Sequence, residues 1–183
     1  MNRLELWFPA KPYIVTQAWG IYNSIYLQFG FNRHNGIDFL PGIDGLLYAP
    51  CKLTVTMAGY QEKGAGNYVQ GMSEPVEVNG KTCIVELTFM HLESFNVKIG
   101  DILDIGDIIG VPGSSGFSTG PHTHLSCRRL NMTLGHIDEN DASNTFDQSS
   151  FFNGFYAIDK GRVISLMQQV IVLLQQLYLK LSK

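Results

Sequence analysis

No run of apolar residues in this chain reaches the roughly 18 that a membrane-crossing helix requires, so no transmembrane span is expected. Basic side chains are scarce. Thirteen Lys and Arg stand against 16 Asp and Glu, a formal net charge of −3, which leaves no basic footprint for nucleic acid. The opening stretch, residues 1–15, lacks the charged start, the continuous apolar core and the small-residue cleavage site of a secretory signal. Cysteine is sparse and unpaired in pattern: Cys51, Cys83 and Cys127 stand singly, without Cys-x-x-Cys. An odd number argues against a disulfide framework, and small buried hydrophobes in strands are expected instead. Neither a His-Glu-x-x-His helix nor a Gly-Lys-Ser/Thr phosphate loop is present, so the glycines at 64, 66, 110, 113, 116 and 120 are expected at sheet corners.

What is there describes an ordinary globular chain of 183 residues, 45% hydrophobic and 16% charged, long enough for one good core with appendages. A short strand is expected near residues 13–19, and the aromatic-rich, aperiodic residues 21–33 read as a structured loop. From 34 to about 129, short apolar runs alternate with glycine turns, the spacing of an all-β sheet, sandwich or barrel. Val78-Asn79-Gly80-Lys81 signals a two-residue hairpin, because Asn-Gly tolerates the positive φ angles of a type I′ turn. The expected division is a β domain over 1–130, an irregular arm over 131–159, and an amphipathic helix over 160–183. In that last segment Val163, Met167, Val170, Leu174, Leu177 and Leu181 recur at spacings 4-3-4-3-4, with glutamines opposite, as in a coiled coil.

The chemistry gathers in histidine. His122 and His124 are two apart after Gly120-Pro121. On a helix such positions lie about 200° apart, whereas on a strand they share a face with Thr123 and Leu125 turned away. His34 stands four residues before Asp38, across Gly36 and β-branched Ile37, so a helix is not expected there, and on a strand the two share a face and could meet on one ion. His91 closes another strand-like run. Imidazole and carboxylate together suit zinc, which takes N and O ligands. Taken alone, His-x-x-x-Asp is more often a structural hydrogen-bonded pair and His-x-His more often chance. Spacing does not say which histidine would bind a metal. His136 has no motif around it and is expected as an exposed loop residue.

Three pieces occur in order over residues 13–129: His34-Asn-Gly-Ile-Asp38-Phe39, then His91 before Leu92, then Gly113-Ser-Ser-Gly-Phe-Ser-Thr-Gly-Pro-His-Thr-His124, with Gly64-Ala-Gly-Asn-Tyr-Val69 a weaker fourth. Together they resemble the lysostaphin-type zinc metallopeptidases that cut peptidoglycan. The resemblance implies an antiparallel two-layer β fold, the duplicated hybrid motif, with one zinc per chain held by His34, Asp38 and His124. It implies His91 and His122 as the catalytic pair beside the metal. Departures are Phe89, where a tyrosine is usual, and Leu125-Ser126-Cys127 after the histidine pair; Tyr26 is the candidate for a tyrosine assisting the transition state.

The function so implied is hydrolysis of peptide bonds in stem peptides or cross-bridges by activated water. A catalytically silent wall-binding or activating module and a virion structural component are the alternatives. The partner is peptidoglycan peptide, with a possible homo-oligomer through 160–183. Without a signal, the expectation is synthesis in the cytoplasm and action at the cell wall or periplasm, as for a phage lysin, or export by another route.

Overall fold

A computed structural model describes residues 2–137, 144–155 and Gln175. The strands among them are β1 (Leu6–Phe8), β2 (Val15–Gln17), β3 (Ile37–Phe39), β4 (Leu47–Tyr48), β5 (Leu53–Gln61), β6 (Gly66–Ser73), β7 (Val76–Val78), β8 (Lys81–Phe95), β9 (Ile102–Leu103), β10 (Ile108–Pro112), β11 (Thr123–Leu130) and β12 (Phe152–Phe155). Two short 3₁₀ turns accompany them, Ser24–Phe29 and Ser149–Phe151. The molecule is mainly β, and the expected β class holds. The amphipathic helix expected over 160–183, with its coiled-coil reading, lies outside the described residues apart from Gln175. No described helix is long and apolar enough to cross a membrane.

The main sheet runs β2-β3-β11-β8-β6-β5-β9, with β4 and β10 joined to it through β8 and with β7 on the other part of β8. Every pairing in it is antiparallel, whereas β1 and β12 form a separate parallel pair. The long strand β8 is the spine. Its Cys83, Val85, Leu87 and Phe89 are fully buried at alternate positions, the period-2 pattern of a strand with one face on the core. Each such side chain contributes roughly 1.5–3 kcal/mol on burial. The hairpin entering β8 is the expected one: Val78 pairs with Lys81 across Asn79 and Gly80, at φ 52° and 76°. The three cysteines are buried. They pack in one cluster with Leu6, Phe39, Leu47 and Leu125.

Past β11 the chain crosses back. Phe146 and Gln148 are buried, and the Phe146 amide donates to the Cys127 carbonyl at 3.1 Å. Phe152 stacks on Phe8 and packs on Tyr13, so residues 144–152 cover the core behind β11.

Candidate functional site

Strand β11 carries the paired histidines to the edge of the site. Thr123, Leu125 and Cys127 are fully buried on the core side, and His124 projects from the opposite face. His122 lies just before the strand, held by an isolated bridge to Gly113. In register, His124 faces Asp38 of β3 on one side and Met90 of β8 on the other. Asp38 and His124 are therefore cross-strand neighbours, which the four-residue spacing to His34 did not reveal.

His34 reaches the same place by a different route. It is not on the strand with Asp38, because β3 begins at Ile37. Its backbone is pinned instead to a preceding turn, with the His34 amide on the Ile21 carbonyl and the Gly20 amide on the His34 carbonyl, both 2.8 Å. The turn at Gly36 then folds the imidazole over the carboxylate. A Cβ on Gly36 would stand 2.5 Å from the Leu125 carbonyl and 2.6 Å from His124 Nε2. Only glycine lets the two segments approach this closely.

His91 needs a break in β8. Opposite Asn67 to Val69 the pairing slips by one residue, and His91 sits at φ 64°, a left-handed conformation uncommon for a residue with Cβ. The inserted residue resets the alternation, so that Phe89 and Leu92 are the fully buried ones and His91 turns toward the groove. Ser115 locks the bulge. Its hydroxyl donates to the Leu92 carbonyl (2.7 Å), its Oγ accepts the Asn67 amide (2.8 Å), and its carbonyl accepts from His91 Nδ1 (2.9 Å).

Three ligand-type atoms converge. His34 Nε2 is 3.1 Å from Asp38 Oδ1 and 3.0 Å from His124 Nδ1, and His124 Nδ1 is 2.8 Å from Asp38 Oδ1. In the neutral tautomer that donates Nδ1–H to the Ala18 carbonyl (2.9 Å), His34 Nε2 carries a lone pair toward the other two atoms. A carboxylate oxygen and an imidazole lone pair pointed at one spot call for a cation. Atoms bound tetrahedrally to one zinc at 2.0–2.2 Å stand about 3.3–3.6 Å apart, roughly 0.2–0.8 Å wider than this spacing. The donor set fits a metal ion.

The electrostatics agree. Burial pushes the Asp38 carboxyl up, but the His124 and His34 imidazoles set against it outweigh this and hold the group well below the ordinary carboxylate range. Burial pushes the His124 imidazole down against the pull of Asp38, which favours the neutral form a metal needs. His91 is lowered to about 4, chiefly by burial, with neighbouring imidazoles adding to it and the Ser115 hydrogen bond opposing.

His91 and His122 stand beside the trio with ring centroids 4.9 Å apart, and His122 Nε2 is 3.8 Å from Asp38 Oδ1. His122 Nδ1 is 2.8 Å from the Gly120 carbonyl and donates to it. Both imidazoles thus spend Nδ1 on a backbone oxygen and keep Nε2 for the groove. That groove has a volume of about 400 Å³ and is walled by Gln17, Asn23, Tyr26, Phe29, Phe31 and Phe117. Tyr26 stacks on His34 with centroids 5.6 Å apart, and its hydroxyl accepts from Gln17 Nε2 at 2.7 Å. Phe29 and Phe117 meet edge to face at 5.3 Å from opposite walls. All five residues expected at the site, and Tyr26, are brought together; His136 is exposed and apart from them. The residues that sequence reasoning missed act through backbone oxygen or as walls. The carbonyls of Ala18, Ser115 and Gly120 are examples, and a carbonyl is common to every residue and carries no sequence signal.

The sequence model described as Peptidase family M23 matches residues 32–138, which hold all five of these residues. The chain belongs to peptidase family M23. It is 37% identical over 104 residues to lysostaphin of Staphylococcus simulans, covering 57% of this chain and 20% of that protein. Glycyl-glycine endopeptidase ALE-1 of Staphylococcus capitis is 35% identical over 104 residues, 57% of this chain and 27% of the relative. The chain therefore spans about a quarter or less of these relatives' length. Among solved structures, the catalytic domain of S. simulans lysostaphin superposes with a TM-score of 0.58 at 28% identity, over 77% of this chain and 92% of the domain. In this M23 chain the matched segment holds the converging imidazoles and most of the sheet, while Gln17, Asn23, Tyr26, Phe29 and Phe31 of the groove wall precede it.

Proposed function

We propose that this M23 chain is a zinc metalloendopeptidase that hydrolyses peptide bonds in peptidoglycan stem peptides or cross-bridges, and that its place of action is the cell wall or periplasm. The observation that carries the reading is the convergence of His34 Nε2, Asp38 Oδ1 and His124 Nδ1 within 3.1 Å of one another, with two further imidazoles alongside. The names of the relatives, a glycyl-glycine endopeptidase among them, support a wall peptide as substrate.

His34, Asp38 and His124 hold the metal on this reading. A zinc ion bound there supplies a Lewis acid for the scissile carbonyl and brings the pKa of a bound water near 7. His91 and His122 do the proton work. Each is fixed as the Nδ1–H tautomer by a carbonyl, so Nε2 accepts a proton from the attacking water. Burial keeps His91 neutral at pH 7 and ready to accept. The resulting imidazolium steadies negative charge growing on the carbonyl oxygen and then returns the proton to the leaving amine. Tyr26, stacked on His34 and tied to Gln17, aims its hydroxyl from the groove wall and is the candidate for a further hydrogen bond to that oxygen.

The test is digestion of purified peptidoglycans of several cross-bridge chemistries by the zinc-loaded chain, with mass spectrometry of the soluble fragments. New amino and carboxyl termini at one type of bond are expected, lost with chelator and restored by zinc. Binding to every wall preparation without any cleavage, in protein carrying its zinc, would overturn the enzyme in favour of a binding module.

A further inference from the structure

Three of the four imidazoles at the site have their outer nitrogen fixed by a backbone carbonyl: His34 by Ala18, His91 by Ser115 and His122 by Gly120. His124 is the exception. Its Nε2 is buried with no hydrogen-bond partner among the described residues and lies against Gly36. Metal-binding histidines generally owe their orientation to a bond at the other nitrogen. With no bond at Nε2, the direction of the His124 ring rests on its packing against Gly36 and on its backbone, and the backbone there has a gap to fill.

The gap arises where β3 leaves β11. Their ladder ends at Leu125↔Ile37, because the chain turns at Gly36 to bring His34 over Asp38. From that point the β3-facing carbonyls of β11 have lost their strand partner. The Leu125 carbonyl receives Gln148 Nε2 at 2.7 Å, and the Cys127 carbonyl receives the Phe146 amide at 3.1 Å. Residues 145–148 thus run on in the place that β3 vacates. The same segment is tied to the far side of the site, since Trp19 Nε1 donates to Thr145 Oγ1 at 3.0 Å, one residue from the Ala18 carbonyl that orients His34. Gln148 is fully buried, and its Oε1 has no hydrogen-bond partner among the described residues. A buried amide with an unmet acceptor carries a desolvation penalty, which core stability alone would avoid by using an apolar residue. This strap lies beyond residues 32–138, the part matched to the family.

We propose that the Thr145–Gln148 strap is a positioning element of the metal centre, with Gln148 as the positioning residue that sets the His124 ring by holding the Leu125 carbonyl. The inference rests on the reading of His34, Asp38 and His124 as metal ligands. Gln148 touches neither substrate nor metal; it acts through the peptide next to His124.

The test uses the full chain as wild type, Gln148→Met, Thr145→Val and Asp38→Ala, each stripped of metal and titrated with zinc against a chromogenic chelator at a temperature where the apo protein is folded. Gln148→Met keeps the volume and removes the donor. It is expected to weaken zinc binding 10–100-fold, the usual range for losing a partner behind a ligand, with kcat reduced and KM unchanged. The visible spectrum of the Co²⁺-loaded variant is expected to shift, as it reports ligand geometry. Thr145→Val is expected to weaken zinc several-fold by slackening the strap. Zinc affinity and Co²⁺ spectrum within two-fold of wild type in folded Gln148→Met overturn the proposal, even if the protein melts earlier. Should that variant not fold, unchanged affinity in Thr145→Val overturns it instead. Failure of the underlying metal reading looks different: wild type and Asp38→Ala would then bind zinc alike.

Discussion

Gly36 shows how much of the site hangs on a missing side chain. It lies where the His34 turn, the Leu125 carbonyl and the His124 ring meet, and a methyl group has nowhere to go. Gly36→Ala is expected to cut zinc occupancy as severely as loss of a ligand, although residue 36 binds nothing. Atomic absorption on metal-replete protein checks it, and full occupancy would show that the turn can yield. The imidazoles divide by the same measurement. His34→Ala, Asp38→Ala and His124→Ala are each expected to lose zinc and activity together, because each removes one of three converging atoms. His91→Ala and His122→Ala are expected to keep the metal while turnover falls by ~10² or more, the scale of a positioned acid–base group. Zinc lost from His122→Ala and kept in His124→Ala would reverse the assignment within the pair.

At the scale of the element, β8 carries the least obvious step. An unbroken strand would put His91 on the face of Leu87 and Phe89, inside the core. The left-handed residue at φ 64° turns it out and lets Leu92 take the buried place. That conformation costs a residue with Cβ roughly 1–2 kcal/mol and costs glycine almost nothing. His91→Gly and His91→Ala are both expected to be inactive, with the glycine variant more stable by about 1 kcal/mol in urea unfolding. An alanine variant at least as stable as the glycine one would mean that the bulge relaxes when the imidazole is gone. Here the limit of sequence reading is physical. Alternation along β8 and β11, the Asn79-Gly80 hairpin and buried lone cysteines were legible, because each depends on neighbours along the chain. The shared face of His122 and His124 was legible for the same reason. The start of β3 at Ile37, the pairing of Asp38 with His124, the bulge at His91 and the strap beside β11 were not. Each depends on contacts between residues far apart in sequence, and period-2 patterning carries no record of a one-residue insertion until the partner strand is seen. The 3₁₀ turn at Ser24–Phe29 inside an expected loop is a smaller instance: Asn23 caps it through Ile25, and Gly30 at φ 87° ends it.

At the scale of the whole molecule, the apolar pattern over residues 160–183 bears on assembly. Val163, Met167, Val170, Leu174, Leu177 and Leu181 form one seam, and Ile164, Ile171 and Tyr178 widen it into a second. A lone helix of that length is marginal in water, so such a pattern implies that something covers it. A narrow stripe suits docking on one surface, whereas two adjoining seams suit two or more partner helices. The proposal is that this segment self-associates and holds several M23 units together. Among the described residues the groove is lined by residues 17–124 and the strap spans 145–148, and on this proposal neither needs the segment. Removal of 160–183 is expected to turn an oligomer into a monomer of unchanged zinc content and unchanged activity on soluble peptides. Its activity on intact wall is expected to fall, because several linked sites rebind an insoluble polymer before they diffuse away. Light scattering on the full chain and the truncated chain reads the first effect, and turbidity loss of whole walls reads the second. A full-length chain that is monomeric at tens of micromolar, with truncation exposing new apolar surface on the β domain, would show instead that the segment packs on its own unit.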